Sequence, residues 1–259
     1  MATPSITVSE TPLVIYALRR ADDALILGHR LSEWCGHAPM MEEDMALANI
    51  GLDLIGQARE LYSYAAKVEE KSNDEDTFAY LRDIRQYRNL LLVEQPNGDF
   101  ARTILRQFFY SAYADAYWRA MMASKDDTLA AIAAKSEKES AYHLRHSAEW
   151  VIRLGDGTDE SHRRAQSAVD DLWAFTGELF HADDSGDLIL IADGIAVDPE
   201  RLRAGWMEMV SSVLATAMLI QPKSSWMQKG GRSGQHSEHL GHLLSELQSL
   251  QRTFPGATW

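Results

Sequence analysis

One cysteine, Cys35, occurs among 259 residues. An internal disulfide is therefore impossible, and a reducing cytoplasm is the expected compartment. Set beside Trp34 near the end of a helical pattern, Cys35 reads as a packed thiol rather than a nucleophile, since free cysteine usually behaves as a small hydrophobe. Positive charge is scarce: 25 Lys and Arg stand against 38 Asp and Glu, a formal net charge of −13. Such a surface repels nucleic-acid phosphates and anionic lipid, so neither nucleic acid nor membrane is an expected partner. No apolar run reaches the roughly 20 residues a bilayer span requires. The start, Met1-Ala2-Thr3-Pro4-Ser5, lacks the basic segment and apolar run of a secretory signal. Also missing are a Gly-x-Ser-x-Gly elbow, a P-loop, a Rossmann glycine pattern and any repeat of 20–50 residues.

Strict apolar–polar alternation is almost absent, while 3.6-residue periodicity is nearly continuous. The 7 prolines and most of the 16 glycines punctuate the long periodic segments. The pattern predicts helices over about 12–34, 42–69, 76–93, 100–123, 128–154, 159–180, 198–219 and 238–252. The third of these is rich in arginine and reads as more exposed. Asp99 and Ser237 are positioned as N-caps, and Asp198-Pro199 is a cap followed by proline at the first helical position. Residues 181–197 read as irregular, with a short extended piece at Leu188–Ile191. With 46% hydrophobic residues the chain can fill one large core, so the expected architecture is an antiparallel helical bundle with added helices, one domain over 1–259.

Several polar residues sit on otherwise apolar inner stripes. They are Asp22 and His29 on the first helix, Asp53 and Gln57 on the second, Asp115 on the fourth and His143 on the fifth. Buried carboxylates need partners. The leading reading is a hydrogen-bonded network of Asp22, His29, Asp53, Asp115 and His143 that fixes helix register. Two other readings stay open: a metal site, and residues that never converge. Glu139 and His143, four apart, can meet on one helix face. His143 and His146, three apart, have no carboxylate fixed beside them in sequence. The loop Lys229-Gly230-Gly231-Arg232-Ser233-Gly234-Gln235-His236 offers cations and flexible amides to a phosphate, or a contact to a partner subunit. Trp206, Trp226 and Trp259 suit either a subunit interface or an ordinary core.

Particular stretches carry a resemblance. They are Gly28-His29-Arg30-Leu31-Ser32-Glu33-Trp34-Cys35-Gly36-His37-Ala38-Pro39, Asn49-Ile50-Gly51-Leu52-Asp53-Leu54-Ile55-Gly56-Gln57-Ala58-Arg59, Leu90 to Gly98, Tyr142-His143-Leu144-Arg145, Gly194 to Pro199 and Glu238-His239-Leu240-Gly241. Over nearly its whole length the chain resembles the non-catalytic, ferritin-like subunit of bacterial phenylacetyl-CoA epoxidases. The resemblance implies an all-α, ferritin-like four-helix bundle with additional helices. Di-iron bundles of this type place Glu-x-x-His on two core helices. On this chain Leu54 and Gln57 fall on the first such pair, and Ser140 and His143 on the second, so only His143 is a metal-binding residue type.

The resemblance therefore implies a structural role, with no catalytic residue and no metal or other cofactor in this chain. The di-iron centre is expected in a catalytic oxygenase subunit, with which this chain forms a heterodimer within a larger hetero-oligomer. Other small subunits and a reductase complete the assembly. The competing reading is a divergent metal-dependent oxygenase using Asp22, Asp53, Asp115 and His143. A ferritin-like iron store is disfavoured by the missing ferroxidase ligands.

Overall fold

The computed structural model describes residues 5–182 and 186–257. Met1, Ala2, Thr3, Pro4 and Trp259 of the expectations above lie outside the described residues. Among the described residues there are eleven α-helices and five short 3-10 turns, and no strand. No helix among them is long and apolar enough to cross a membrane.

Four long rods form the bundle: α1 (Pro12–Ser32), α2 (Met41–Glu69), α5 (Phe100–Met121) and α6 (Asp127–Gly155). Proline at the first position starts α1, where its missing N–H costs nothing. Asp99 caps α5 by accepting from Arg102 N at 2.9 Å, and Asp126 caps α6 by accepting from Leu129 N at 2.9 Å. α1 runs antiparallel along α2. They approach closely at Gly28 and Gly51, where a Cβ on either would lie 3.1–3.2 Å from the other's carbonyl oxygen. Larger residues there would force the two backbones apart.

The sequence assigns α1 a single inner stripe, yet the helix is buried on nearly every side, its charged residues included. Each buried charge has a compensating group. Arg20 donates to Tyr113 OH at 2.8 Å, Asp23 binds Arg232 at 2.7 Å, and Arg30 donates to the Glu94 carbonyl at 2.9 Å.

The predicted helix over 76–93 is broken into α3 (Glu75–Tyr80), a 3-10 turn (Ile84–Gln86) and α4 (Leu91–Glu94), and its Arg82 is fully buried rather than exposed. The cause is local. Arg88 N donates to Asp22 at 2.7 Å, Leu90 N to Asp23 at 2.8 Å and Leu91 N to Glu178 at 2.8 Å. Amides captured by carboxylates are unavailable to a helical ladder.

Other boundaries also move. The predicted 159–180 helix stops as α7 (Asp159–Leu172) and continues as two 3-10 turns. The extended piece at 188–191 is instead a helix, α8 (Asp187–Ala192). After the Asp198 cap, Pro199–Leu202 is a 3-10 turn leading into α9 (Arg203–Thr216). The last helix divides at Gln248 into α10 (Glu238–Leu247) and α11 (Ser249–Thr253). Ser237 is not a side-chain cap there; its backbone N–H donates to Glu94 at 2.7 Å. The C-terminal elements close one continuous apolar core, in which Trp206 packs against Phe109, Trp173 and Phe180 and donates Nε1–H to the Phe109 carbonyl at 2.9 Å. Trp226, by contrast, is exposed. Cys35 is exposed as well, not packed: Trp34 turns inward onto Phe100 and Thr103, and the helix has already ended at Ser32.

Candidate functional site

In a ferritin-like bundle the informative place is the seam between α2 and α6. The two helices are antiparallel, and polar side chains bridge them. Asp53 meets His143 Nε2 at 3.0 Å, Gln57 Nε2 donates to Glu139 at 2.9 Å, and Lys135 donates to Glu60 at 2.5 Å. Toward one end Glu43 meets His146 at 2.9 Å, and toward the other Tyr64 donates to Asp126 at 2.5 Å. Beneath these bridges the interior is neutral. Leu54, Gln57, Ser136, Ser140 and Ser147 are buried, and α5 contributes Gln107 and Ser111, joined at 2.9 Å. Ser136 Oγ and Gln107 Oε1 have no hydrogen-bond partner among the described residues.

The residues expected to form one buried network fall instead into separate groups. Asp22 accepts from Arg82, from Tyr62 OH at 2.6 Å and from Arg88 N. Burial raises the Tyr62 pKa well above 10.0, and the adjacent Asp22 carboxylate adds to it. Burial opposes the Arg82 charge, but Asp22 outweighs it and holds the guanidinium above its usual value. Asp53 belongs to His143 and is only half-buried. Asp115 pairs with Arg119 at 3.0 Å toward solvent, and burial raises its carboxyl pKa. His29 makes no side-chain hydrogen bond among the described residues, and burial lowers its pKa. Glu139 and His143 do not meet on one face; each reaches a different residue of α2. His143 and His146 likewise go to separate carboxylates.

This donor set does not fit two irons. Such a centre takes about four carboxylates and two histidines. Leu54 has no lone pair, Gln57 and Ser140 carry no charge, and His143 Nε2 is already engaged by Asp53. Among the described residues no three His, Cys, Asp or Glu side chains come close enough to hold a metal ion. The alternative set Asp22, Asp53, Asp115 and His143 is distributed over three groups and forms no centre.

The glycine loop is also committed internally. Arg232 turns inward to Asp23, and the amides of Gly230 and Arg232 donate to the buried Glu178 at 2.9 and 3.3 Å. Gly231 is required because a Cβ there would lie 2.2 Å from the Asn89 carbonyl. The amides expected to cradle a phosphate already serve a carboxylate. A cleft of about 640 Å³ beside the loop mixes Arg19, Arg88 and Lys229 with Glu10 and Glu178. Sequence reasoning missed the buried clasps Asp23–Arg232, Asp22–Arg82 and Glu94–His236. The signal on offer was the pair Asp22-Asp23 inside the otherwise largely apolar pattern of α1.

The four rods and their capping helices define an all-helical, ferritin-like protein. The chain belongs to the family of phenylacetic acid catabolic proteins, whose family model it matches over residues 2–259. It is 53% identical over 247 residues to a subunit of the 1,2-phenylacetyl-CoA epoxidase of Escherichia coli strain K12, covering 95% of this chain and 99% of that relative.

Proposed function

We propose that this chain is the non-catalytic structural subunit of a multicomponent monooxygenase that epoxidises the ring of phenylacetyl-CoA in aerobic phenylacetate breakdown. It pairs with the catalytic di-iron subunit and stabilises it, within an assembly that includes further small subunits and a reductase. Residues 1–259 act as one domain, and the assembly works in the cytoplasm. The likeness to a known epoxidase subunit supports the pathway and the multi-subunit setting.

The observation that carries the structural role is the neutral interior at Leu54, Gln57 and Ser140, with His143 engaged by Asp53. Leu54, Gln57 and Ser140 supply none of the anionic ligands that a pair of irons needs. What the seam does chemically is hold two helices in register. The test is purification of this chain alone and together with the catalytic subunit, followed by metal counting per chain. The chain alone should carry no stoichiometric iron, and the catalytic subunit should be soluble and active only in its company. Near-unit iron in the isolated chain, lost on His143→Ala, would overturn the reading.

A further inference from the structure

The helices α10 and α11 are fastened to the rest of the chain mainly by polar bonds. α10 buries Leu240, Leu243 and Leu244, and α11 buries no residue, whereas α1 is buried on nearly every side. The bonds converge on the 79–94 segment. Ser237 N donates to Glu94 at 2.7 Å, and Gln248 Nε2 donates to the Arg82 carbonyl at 3.1 Å and to Tyr87 OH at 3.0 Å. Arg252 donates to the Arg82 carbonyl at 2.8 Å, and Arg30 of α1 donates to the His239 carbonyl at 3.1 Å. An element with little apolar burial opens at a lower free energy than the core it rests on.

One of these fasteners titrates. The His236 ring lies just ahead of α10, buried between Glu94 Oε2, 2.8 Å from Nδ1, and the Tyr87 carbonyl oxygen, 3.0 Å from Nε2. Both neighbours accept, so only the doubly protonated ring satisfies both. A neutral ring has one N–H. With the proton on Nδ1, the Nε2 lone pair faces a carbonyl; with it on Nε2, the Nδ1 lone pair faces Glu94. Either tautomer gives up one of the two bonds.

The other charged groups around the ring keep their state between about pH 6 and 8.5. From α1, Asp22 adds to the attraction for a proton and is itself clasped by Arg82, while Arg30 holds the Glu94 carbonyl. Arg85 lines the surface cleft beside the ring, and arginine stays charged throughout. The Tyr87 phenol is pushed up to about 12 by burial. On the segment itself, Arg232 is paired with Asp23, and His239 and His242 of α10 are the other imidazoles.

We propose that Glu94 and His236 form a proton-set latch: the charged imidazole holds α10 and α11 on the 79–94 segment, and loss of its proton lets them lift away while the four rods stay folded. In the opened state His236 is solvated, with an ordinary value near 6.5; in the closed state its value is raised, the hydrogen bond and charge of Glu94 outweighing burial. The latch is therefore strongest below about pH 6.5 and slackens as pH climbs through the closed-state value.

The experiment is native-state hydrogen exchange of the full chain, with protection factors corrected for the intrinsic pH dependence of exchange. Between about pH 6 and 8.5, amides of α10 and α11 should lose protection about threefold or more, while those of α1, α2 and α5 hold theirs. His236→Gln should lower α10 protection at about pH 6 and make it independent of pH. His239→Gln with His242→Gln should keep the wild-type profile. Wild-type α10 protection that does not change with pH overturns the latch, as does a fall that persists in His236→Gln or disappears in the His239 and His242 double variant. Rod amides losing protection in step with α10 would show opening of the whole molecule and overturn it too.

Discussion

Glu94 and His236 form a buried pair whose geometry suits a positively charged imidazole. Nδ1 lies 2.8 Å from Glu94 Oε2, and Nε2 lies 3.0 Å from the Tyr87 carbonyl oxygen. A carbonyl only accepts, so Nε2 holds a proton. The same carboxyl group accepts from Asn89 Nδ2 at 2.9 Å and Ser237 N at 2.7 Å, a donor set that favours the carboxylate and with it a proton on Nδ1. The pair ties the start of α10 to α4.

Stability should therefore fall as pH rises. Burial acts to lower the His236 pKa, but the hydrogen bond and charge of Glu94 outweigh it and the value stands above the ordinary 6.5. A histidine with a raised folded pKa contributes fully below its unfolded value, near 6.5, and loses that contribution as pH climbs through the folded value. Urea unfolding between pH 5.5 and about 9 should show this decline in the wild type and a flatter profile in His236→Gln. Glu94→Ala should cost about 3–5 kcal/mol at pH 6 by stranding the imidazolium. Ring nitrogen shifts of a neutral His236 at pH 6 would refute the assignment.

The Asp22–Arg82 clasp makes a second quantitative expectation. Both side chains are fully buried, and Tyr62 and the Arg88 amide complete the carboxylate's bonds. Arg82→Ala or Asp22→Asn should each destabilise by about 3–5 kcal/mol, because the surviving partner loses its compensation. Asp22→Leu combined with Arg82→Met removes both charges and should cost less than the sum of the single changes. A denaturation cycle over the four proteins measures the coupling, and strict additivity would show that the pair does not act as a unit.

These clasps explain what the sequence could and could not reveal. The long rods were legible because a 3.6-residue pattern over some 20 residues, with Asp99 ahead of Phe100 and Pro12 at a first position, leaves little else to form. Residues 76–93 were not legible. Phe78, Leu81 and Leu92 keep a helical spacing, but Asp22, Asp23 and Glu178 from distant segments take the backbone amides that a helix needs. The seam was half legible. The line Asn49, Asp53, Gln57 announces a polar stripe, yet nothing in it says that Gln57 reaches Glu139 or that Asp53 reaches His143. The C-terminal boundaries were lost for the same reason: Gln248 leaves the helix pattern because its side chain bonds the carbonyls of Ala79 and Arg82.

Cys35 gives a simple chemical check. The thiol follows the end of α1 in an exposed turn, while its neighbour Trp34 donates to Thr103 at 3.0 Å. One thiol per chain should react with a disulfide reagent in native buffer, as fast as in a short peptide to within about tenfold. A thiol that reacts only after denaturant is added would contradict this placement.

Restoring two ligands should not restore a metal centre. Leu54→Glu with Gln57→His rebuilds one Glu-x-x-His pair on α2, but Ser140 still leaves its post without a carboxylate and His143 stays bound to Asp53. Adding Ser140→Glu completes the second pair and still falls short. The register of α5 on α6, set by Phe100 on Trp150 and Arg119 beside Glu137, puts Gln107 and Ser111 near the level of His143, where a third helix would have to offer a carboxylate. On α1 the carboxylate of Asp22 is held by Arg82. The new buried charge in the double variant should instead destabilise the fold by about 3–5 kcal/mol. Iron counting after anaerobic loading, beside a denaturant melt of the same sample, tests both halves; tight binding of two irons by the double variant would sink the account of the seam as a purely structural joint.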